Sequence, residues 1–362
     1  MKTRMAFIIG VLLLAGCLTA PVYGAQTIPA SDKCFRYEGR FDFSDINSPV
    51  VIWQASRISI DFEGDTLTLL FDSPKDINAF NQNFFNAQVD NSTTIVDVNK
   101  GMPQKGTTFT GLGAGRHRLV ISKRSEGNAG SVHFRGIQIG EGAKVWLPAP
   151  VSYKLKMEFF GDSVTAGACN EDDGNDQWDN RRTHNAMLSY AAIASEAFSA
   201  DHRNISVSGM GIITGYVDVK ADEMWNRIYP NASSAVADLN AWTPDVVFVK
   251  LGDNDEGFTR THNQPFPAKF TDGYVSLVRE IRAAYPKAHI VLLDDMYEET
   301  HNKVFGQAWK DIVTQLESGD KNMSHFIFKY HAMHHPRVAE HRKLADELIP
   351  WLKQQDFMKS YQ

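Results

Sequence analysis

The sequence predicts two domains: an all-β jelly-roll or sandwich domain over residues 31–147, then a doubly wound α/β domain with a parallel sheet over 152–355. Three observations point there. At 362 residues the chain exceeds one ordinary domain of about 100–200 residues. Between Cys34 and Ile139 it is made of short alternating or β-branched runs. Beyond Pro148-Ala149-Pro150 such runs alternate with stretches of helical period.

The first 25 residues read as a signal peptide. Lys2 and Arg4 form a charged start, and Ala6 to Ala15 is an apolar run too short to span a bilayer. Two processing sites compete, one after Val22-Tyr23-Gly24 and one at Leu14-Ala15-Gly16-Cys17. The second resembles a bacterial lipobox, which would leave a lipidated Cys17 at the mature N-terminus. Both export the protein, either secreted or as an outer-membrane lipoprotein. Membrane contact is expected only through that anchor. Cys34 and Cys169 remain as a pair able to bridge in an oxidising compartment.

In the β region the expected strands are Val50–Trp53, Arg57–Phe62, Thr66–Phe71, Asn86–Asp90 and Arg116–Ile121. Turn residues such as Glu63-Gly64-Asp65 and Gly111-Leu112-Gly113 separate them. In the second region strands are expected at Leu155–Phe160, Asn204–Ser208, Asp245–Leu251, His289–Leu293 and Ser324–Tyr330. Helices are expected at His184–Phe198, Ala268–Ala284, Phe305–Leu316 and Val338–Leu352. In a sheet so built, chemistry belongs in loops at the carboxyl ends of the strands.

Composition narrows the class. Net charge is −6, with 43% hydrophobic and 22% charged residues, so the chain is globular and mildly acidic. That disfavours nucleic acid and anionic membrane surfaces as partners. Three cysteines are too few for a disulfide scaffold.

Four loops carry residues with chemical potential. Gly161-Asp162-Ser163 follows the first parallel strand, where a serine hydroxyl would stand near a turn rich in N–H groups. Gly209-Met210-Gly211 follows the second, and glycine there lets a reacting group approach the backbone. Gly252-Asp253-Asn254-Asp255 follows the third, and an asparagine amide can donate to a developing oxyanion. His334-His335-Pro336 precedes the last helix, which would place His335 at or near its N-cap as a neutral base. His331, His334, His335 and His341 also cluster, but without carboxylate or cysteine at ligand spacing they do not read as a metal site. No metal and no cofactor is expected.

Singly these are ordinary loops; in this order they resemble the four blocks of the SGNH (GDSL-like) hydrolase superfamily. The resemblance runs from about Lys154 to the C-terminus. It implies Ser163 as nucleophile and His335 as base. The oxyanion donors would be Ser163 N–H, Gly209 N–H and the Asn254 side chain, with Gly211 as the fallback for Gly209. A small β domain ahead of Gly161-Asp162-Ser163-Val164-Thr165-Ala166-Gly167 and Leu251-Gly252-Asp253-Asn254-Asp255 looks like carbohydrate esterase family 2. That likeness implies an exported enzyme removing acetyl groups, the 6-position included, from xylan or glucomannan. A monomer is expected.

Three departures stand out. Asp253 takes a position where threonine is more usual, and His334 one where the family tends to place tryptophan. The acidic residue expected two or three positions before the base falls on Met333 and Ala332, which cannot ionise. A Ser163–His335 dyad, with the imidazole oriented by a main-chain carbonyl of the Ala332–His334 turn, is therefore expected. Asp294 and Asp295 are the competing carboxylates. Trp178 and Phe258, with His334, are the expected sugar contacts. The alternatives are a lipase or arylesterase of the same superfamily and a non-catalytic glycan-binding protein.

Overall fold

Alternation along the early strands directs one face of each inward, and two antiparallel sheets close on a shared core. The structure is a computed structural model that describes residues 24–73, 81–98, 107–295 and 303–361. The leader expected at residues 1–25, with Cys17, lies almost wholly outside the described residues.

The sandwich strands are β1 (Ala25–Pro29), β2 (Arg36–Glu38), β3 (Phe41–Asp42), β4 (Val50–Val51), β5 (Arg57–Glu63) and β6 (Leu67–Asp72). They continue with β7 (Phe84–Val89), β8 (Ser92–Asp97), β9 (Thr108–Phe109), β10 (Arg116–Lys123), β11 (Val132–Gly140) and β12 (Val145–Trp146). One sheet runs β3-β4-β11-β6-β9 with β1 against β11. The other runs β12-β5-β10-β7-β8 with β2 against β5. Along β6, Leu67, Leu69 and Phe71 are buried while Asp72 is exposed. Ile58, Ile60 and Phe62 of β5, Leu119 and Ile121 of β10, and Phe134 of β11 fill the space between the sheets.

The second region comprises β13 (Lys156–Gly161), α1 (Ser163–Ala166), α2 (Tyr190–Ala197), β14 (Asp201–Ser206), α3 (Ala221–Met224) and β15 (Val246–Lys250). After these come α4 (Asp253–Thr261), α5 (Phe270–Ala284), β16 (His289–Asp295), α6 (Lys303–Glu317), β17 (Met323–Phe328) and α7 (Val338–Gln354). The sheet is parallel, ordered β14-β13-β15-β16-β17. All five residues of β15 are buried, as a central parallel strand requires. Helices α5 and α6 pack on one face through Tyr274, Ile281, Trp309 and Ile312. Helices α2 and α7 cover the other through Tyr190, Ile193, Leu344 and Leu348. The order of strand addition reverses between β13 and β15, so the switch-point crevice opens where Ser163 and Asn254 lie.

Two expected helix starts move. The helix expected from His184 begins at Tyr190, because Ser189 accepts the Ala192 N–H and two short 3-10 turns precede it. The last helix begins at Val338, because Glu340 accepts the N–H of its cap, Arg337, at 2.7 Å. His335 therefore sits two residues ahead of the N-cap rather than on it. Cys34 and Cys169 are free thiols.

The two regions share a core. Val50, Ile52 and Trp53 of the sandwich belong to the same apolar cluster as Ile205, Val247 and Trp225. Arg40 pairs with Glu158 at 3.1 Å, both buried. Gln54 Nε2 donates to Asn204 Oδ1 at 2.9 Å, and Trp53 Nε1 to the Ile228 carbonyl at 2.8 Å.

Candidate active site

β13 delivers the chain to the sheet edge, and Asp162 caps the short helix that follows by accepting the Val164 N–H at 3.1 Å. Ser163 is the first helical residue, so its N–H is one of the helix's unpaired donors. Its side chain is largely buried, yet it faces the cavity described below.

The second loop is held by the third. Asp255, fully buried in the first turn of α4, accepts N–H groups from Ile212 (2.8 Å), Ile213 (2.8 Å) and Thr214 (2.9 Å). Gly209 lies at φ +79°, a left-handed conformation that favours glycine, and its carbonyl accepts the Tyr216 N–H at 2.8 Å. Asn254 Nδ2 donates to the Met210 carbonyl at 2.9 Å and to Asp162 Oδ2 at 3.2 Å. That fixes its amide plane between the first and second loops.

Beneath these loops lies a buried charge cluster. Lys250 Nζ reaches Asp253 Oδ2 at 2.6 Å and stands 3.9 Å from Asp295. Burial alone would lower the lysine, but Asp253, Asp295, Asp162 and Asp294 hold its pKa well above the usual value. Asp253, the unusual residue of the third block, is thus the counter-ion of Lys250. Burial and the neighbouring Asp253 push the Asp162 carboxyl up to about 7.

His335 has a carboxylate partner that the sequence reading missed. Its Nδ1 lies 2.7 Å from Asp176 Oδ2, and Arg337 Nη1 donates to Asp176 Oδ1 at 2.7 Å. Burial would raise Asp176, but the hydrogen bonds from His335 and Arg337 outweigh it and hold the carboxyl well below its usual range. The expected main-chain orientation by the Ala332–His334 turn is therefore replaced by a carboxylate. Neither competing candidate supplies it: Asp295 instead faces His331 Nδ1 at 3.1 Å, and burial beside Asp295 and Asp253 raises Asp294 well above normal. The only signal in the sequence was the acidic stretch Glu171-Asp172-Asp173-Gly174-Asn175-Asp176, directly after the first block.

Ser163, Asn254, His335 and Asp176 line one cavity of about 280 Å³ at the carboxyl end of the sheet. His334 is on its wall, with Asp253, Glu256, Arg260 and Tyr330. Gly209 is buried and is not among the residues lining this cavity. Trp178 packs its ring against His335, centroids 5.0 Å apart. Phe258 lies on α4 a helical turn beyond Asn254, where it stacks on His262 at 4.0 Å and meets Tyr216 edge-on. Of the clustered histidines, His331, His334 and His335 share this cavity and His341 does not. His341 is fully buried, accepts the Tyr190 N–H at 3.2 Å, and is pushed down to about 3 by burial.

The chain's two halves match two family models, Carbohydrate esterase 2 N-terminal at residues 37–150 and GDSL-like Lipase/Acylhydrolase at 159–325. It is 29% identical over 341 residues to the cellulase/esterase CelE of Acetivibrio thermocellus, covering 91% of this chain and 40% of that protein. It is 28% identical to an acetylxylan esterase / glucomannan deacetylase of Cellvibrio japonicus, covering 86% of this chain and 88% of that one. Among solved structures, a family two carbohydrate esterase from Clostridium thermocellum in complex with cellohexaose superposes with a TM-score of 0.73 at 28% identity. That match spans 88% of this chain and 98% of the other. A family two esterase from Cellvibrio japonicus shares the fold with a TM-score of 0.78 at 23% identity, over 94% and 99% of the two chains. With its sandwich and its hydrolase region matched in the same order, the chain belongs to carbohydrate esterase family 2 of the SGNH (GDSL-like) hydrolases.

Proposed function

We propose that this chain is an exported serine esterase removing O-acetyl groups, including those at the primary 6-position, from plant polysaccharides such as xylan and glucomannan. The observation that carries the proposal is the small shared cavity in which Ser163 and Asn254 meet a histidine already paired to Asp176. With Nδ1–H donated to the carboxylate, Nε2 is free to accept the Ser163 proton. Ser163 Oγ attacks the acetyl carbonyl, and charge gathers on its oxygen. Ser163 N–H, Gly209 N–H and the Asn254 amide stabilise it, Asn254 sharing the longer bond it makes to Asp162. Protonated His335 then hands its proton to the departing sugar oxygen. Water, activated by the same imidazole, releases acetate and restores the hydroxyl.

A cavity of about 280 Å³ with Asp253, Glu256 and Arg260 on its wall suits an acetyl group on a polar sugar better than a lipid tail. His334, Trp178 and Phe258 are proposed to contact the sugar. We take the chain to act as a monomer, exported by its leader and either secreted or anchored through Cys17.

Acetate release from acetylated glucomannan, set beside hydrolysis of butyryl and longer esters, tests the substrate class. Preference for acetyl, lost entirely in Ser163→Ala with folding intact, is the expected result. Faster cleavage of long acyl esters would favour the lipase reading. No activity on any ester would leave a glycan-binding protein.

A further inference from the structure

One buried carboxylate of the sandwich reaches both sides of the site. Glu126 follows β10 and is 1% exposed. Its Oε1 lies 3.2 Å from Arg181 Nε and 3.3 Å from His184 Nδ1, and its Oε2 accepts the Ser208 hydroxyl. Ser208 directly precedes Gly209. Arg181 is fully buried, its guanidinium 4.7 Å from the Trp178 ring centroid, and it also donates to the Trp178 carbonyl. Trp178 in turn packs against His335. Glu126 is itself anchored, since the buried ammonium of Lys123 donates to the carbonyls of Ile52 (2.5 Å), Gly130 (2.6 Å) and Glu126 (3.4 Å).

We propose that Glu126 is a positioning residue for His335. Through Arg181 and Trp178 the sandwich domain sets the plane of the imidazole, and through Ser208 it steadies the Gly209 loop. The inference rests on His335 being the base. Without Glu126, the buried Arg181 loses a carboxylate 3.2 Å from its Nε, and a buried cation that loses such a partner moves or draws in water. Trp178 would move with it. An error of about 1 Å in a catalytic group can slow a reaction about 100-fold.

The same sandwich edge grips the loop that carries Asp176. Arg124 is buried and donates to Glu171 and, at 2.7 Å, to the Arg182 carbonyl. Gln82 Nε2 donates to the Asp179 carbonyl at 2.8 Å, and its Oε1 accepts the Arg181 N–H at 3.1 Å. The titratable groups about His335 are thus Asp176, Arg337 and the Cys169 thiol at closest range, His331, His334, Asp253, Glu256 and Arg260 around the shared cavity, Asp162 and His341 within electrostatic reach, and Glu126 with Arg181 and His184 behind Trp178.

The test compares Glu126→Gln, Glu126→Asp and Trp178→Leu in the full chain, with p-nitrophenyl acetate as substrate. Glu126→Gln should lower kcat about 10- to 100-fold with KM within about twofold. It should also move the acid limb of kcat/KM to lower pH, because a carboxylate within electrostatic reach of the imidazolium is lost. Glu126→Asp keeps the charge and should leave that limb in place. A role in folding alone would lower the active fraction without moving the limb. If Glu126→Gln does not fold, Trp178→Leu tests the contact through which it acts: kcat should fall at constant KM, with the limb in place because Glu126 keeps its charge. An unchanged limb and kcat, or a rise in KM alone, overturns the proposal. Activity in His335→Ala, measured in parallel, would instead overturn the base assignment beneath it.

Discussion

Asp176 orients His335, the proposed base. The carboxylate holds Nδ1 at 2.7 Å, and Arg337 holds the carboxylate. Asp176→Asn should cost about 10²- to 10⁴-fold in kcat, since an amide can favour the wrong tautomer and lacks the charge that steadies the imidazolium. Asp295→Asn, which touches His331 instead, should cost far less. Steady-state kinetics on p-nitrophenyl acetate separate the two. Asp162→Asn is a subtler change. Its amide would present N–H groups to the donor of Asn254, so Asn254 should turn away from the oxyanion position. A fall in kcat of about 10- to 100-fold at little-changed KM is expected.

At the scale of elements, one buried side chain organises two loops. Asp255 gathers three backbone N–H groups of residues 212–214. Asp255→Ala leaves them without their acceptor, and should destabilise the protein by about 1–3 kcal/mol in chemical denaturation. Elements were legible where periodicity was strong. β6 alternates cleanly, and β15 is a bare, largely β-branched run. The three strand-end loops were legible as well, because their chemistry lies within a few consecutive residues. Asp176 was not. It sits in a stretch without period, about 160 residues from His335, and Arg337 together with the sandwich's Arg124 and Gln82 fixes that stretch. His335 was misplaced against its helix for a local reason: Glu340 caps Arg337, and that outweighed the preference of Pro336 for the first turn.

Over the whole molecule, the sandwich and the hydrolase region behave as one electrostatic unit. Glu126 from the first and Asp176 from the second both have carboxyls held below their usual range by cationic partners that outweigh burial. A depressed carboxyl stabilises the fold above the unfolded value of about 4, and that contribution is lost as pH falls through the folded value. Thermal melts should therefore show Tm dropping below about pH 4. Asp162 acts in the opposite sense. Raised to about 7, it favours the fold at acid pH, and its contribution fades as pH climbs from about 4 towards that value. Asp162→Asn should accordingly gain Tm relative to wild type as pH rises over that window. The central claim is that both halves of the chain serve one acetyl transfer through Ser163. Acid-quenching a reaction with p-nitrophenyl acetate within the first turnover, then mapping the peptides by mass, tests it most directly. Acetyl on Ser163, and none in His335→Ala, is the expected result; an unmodified Ser163, or acetyl on another side chain, would contradict it.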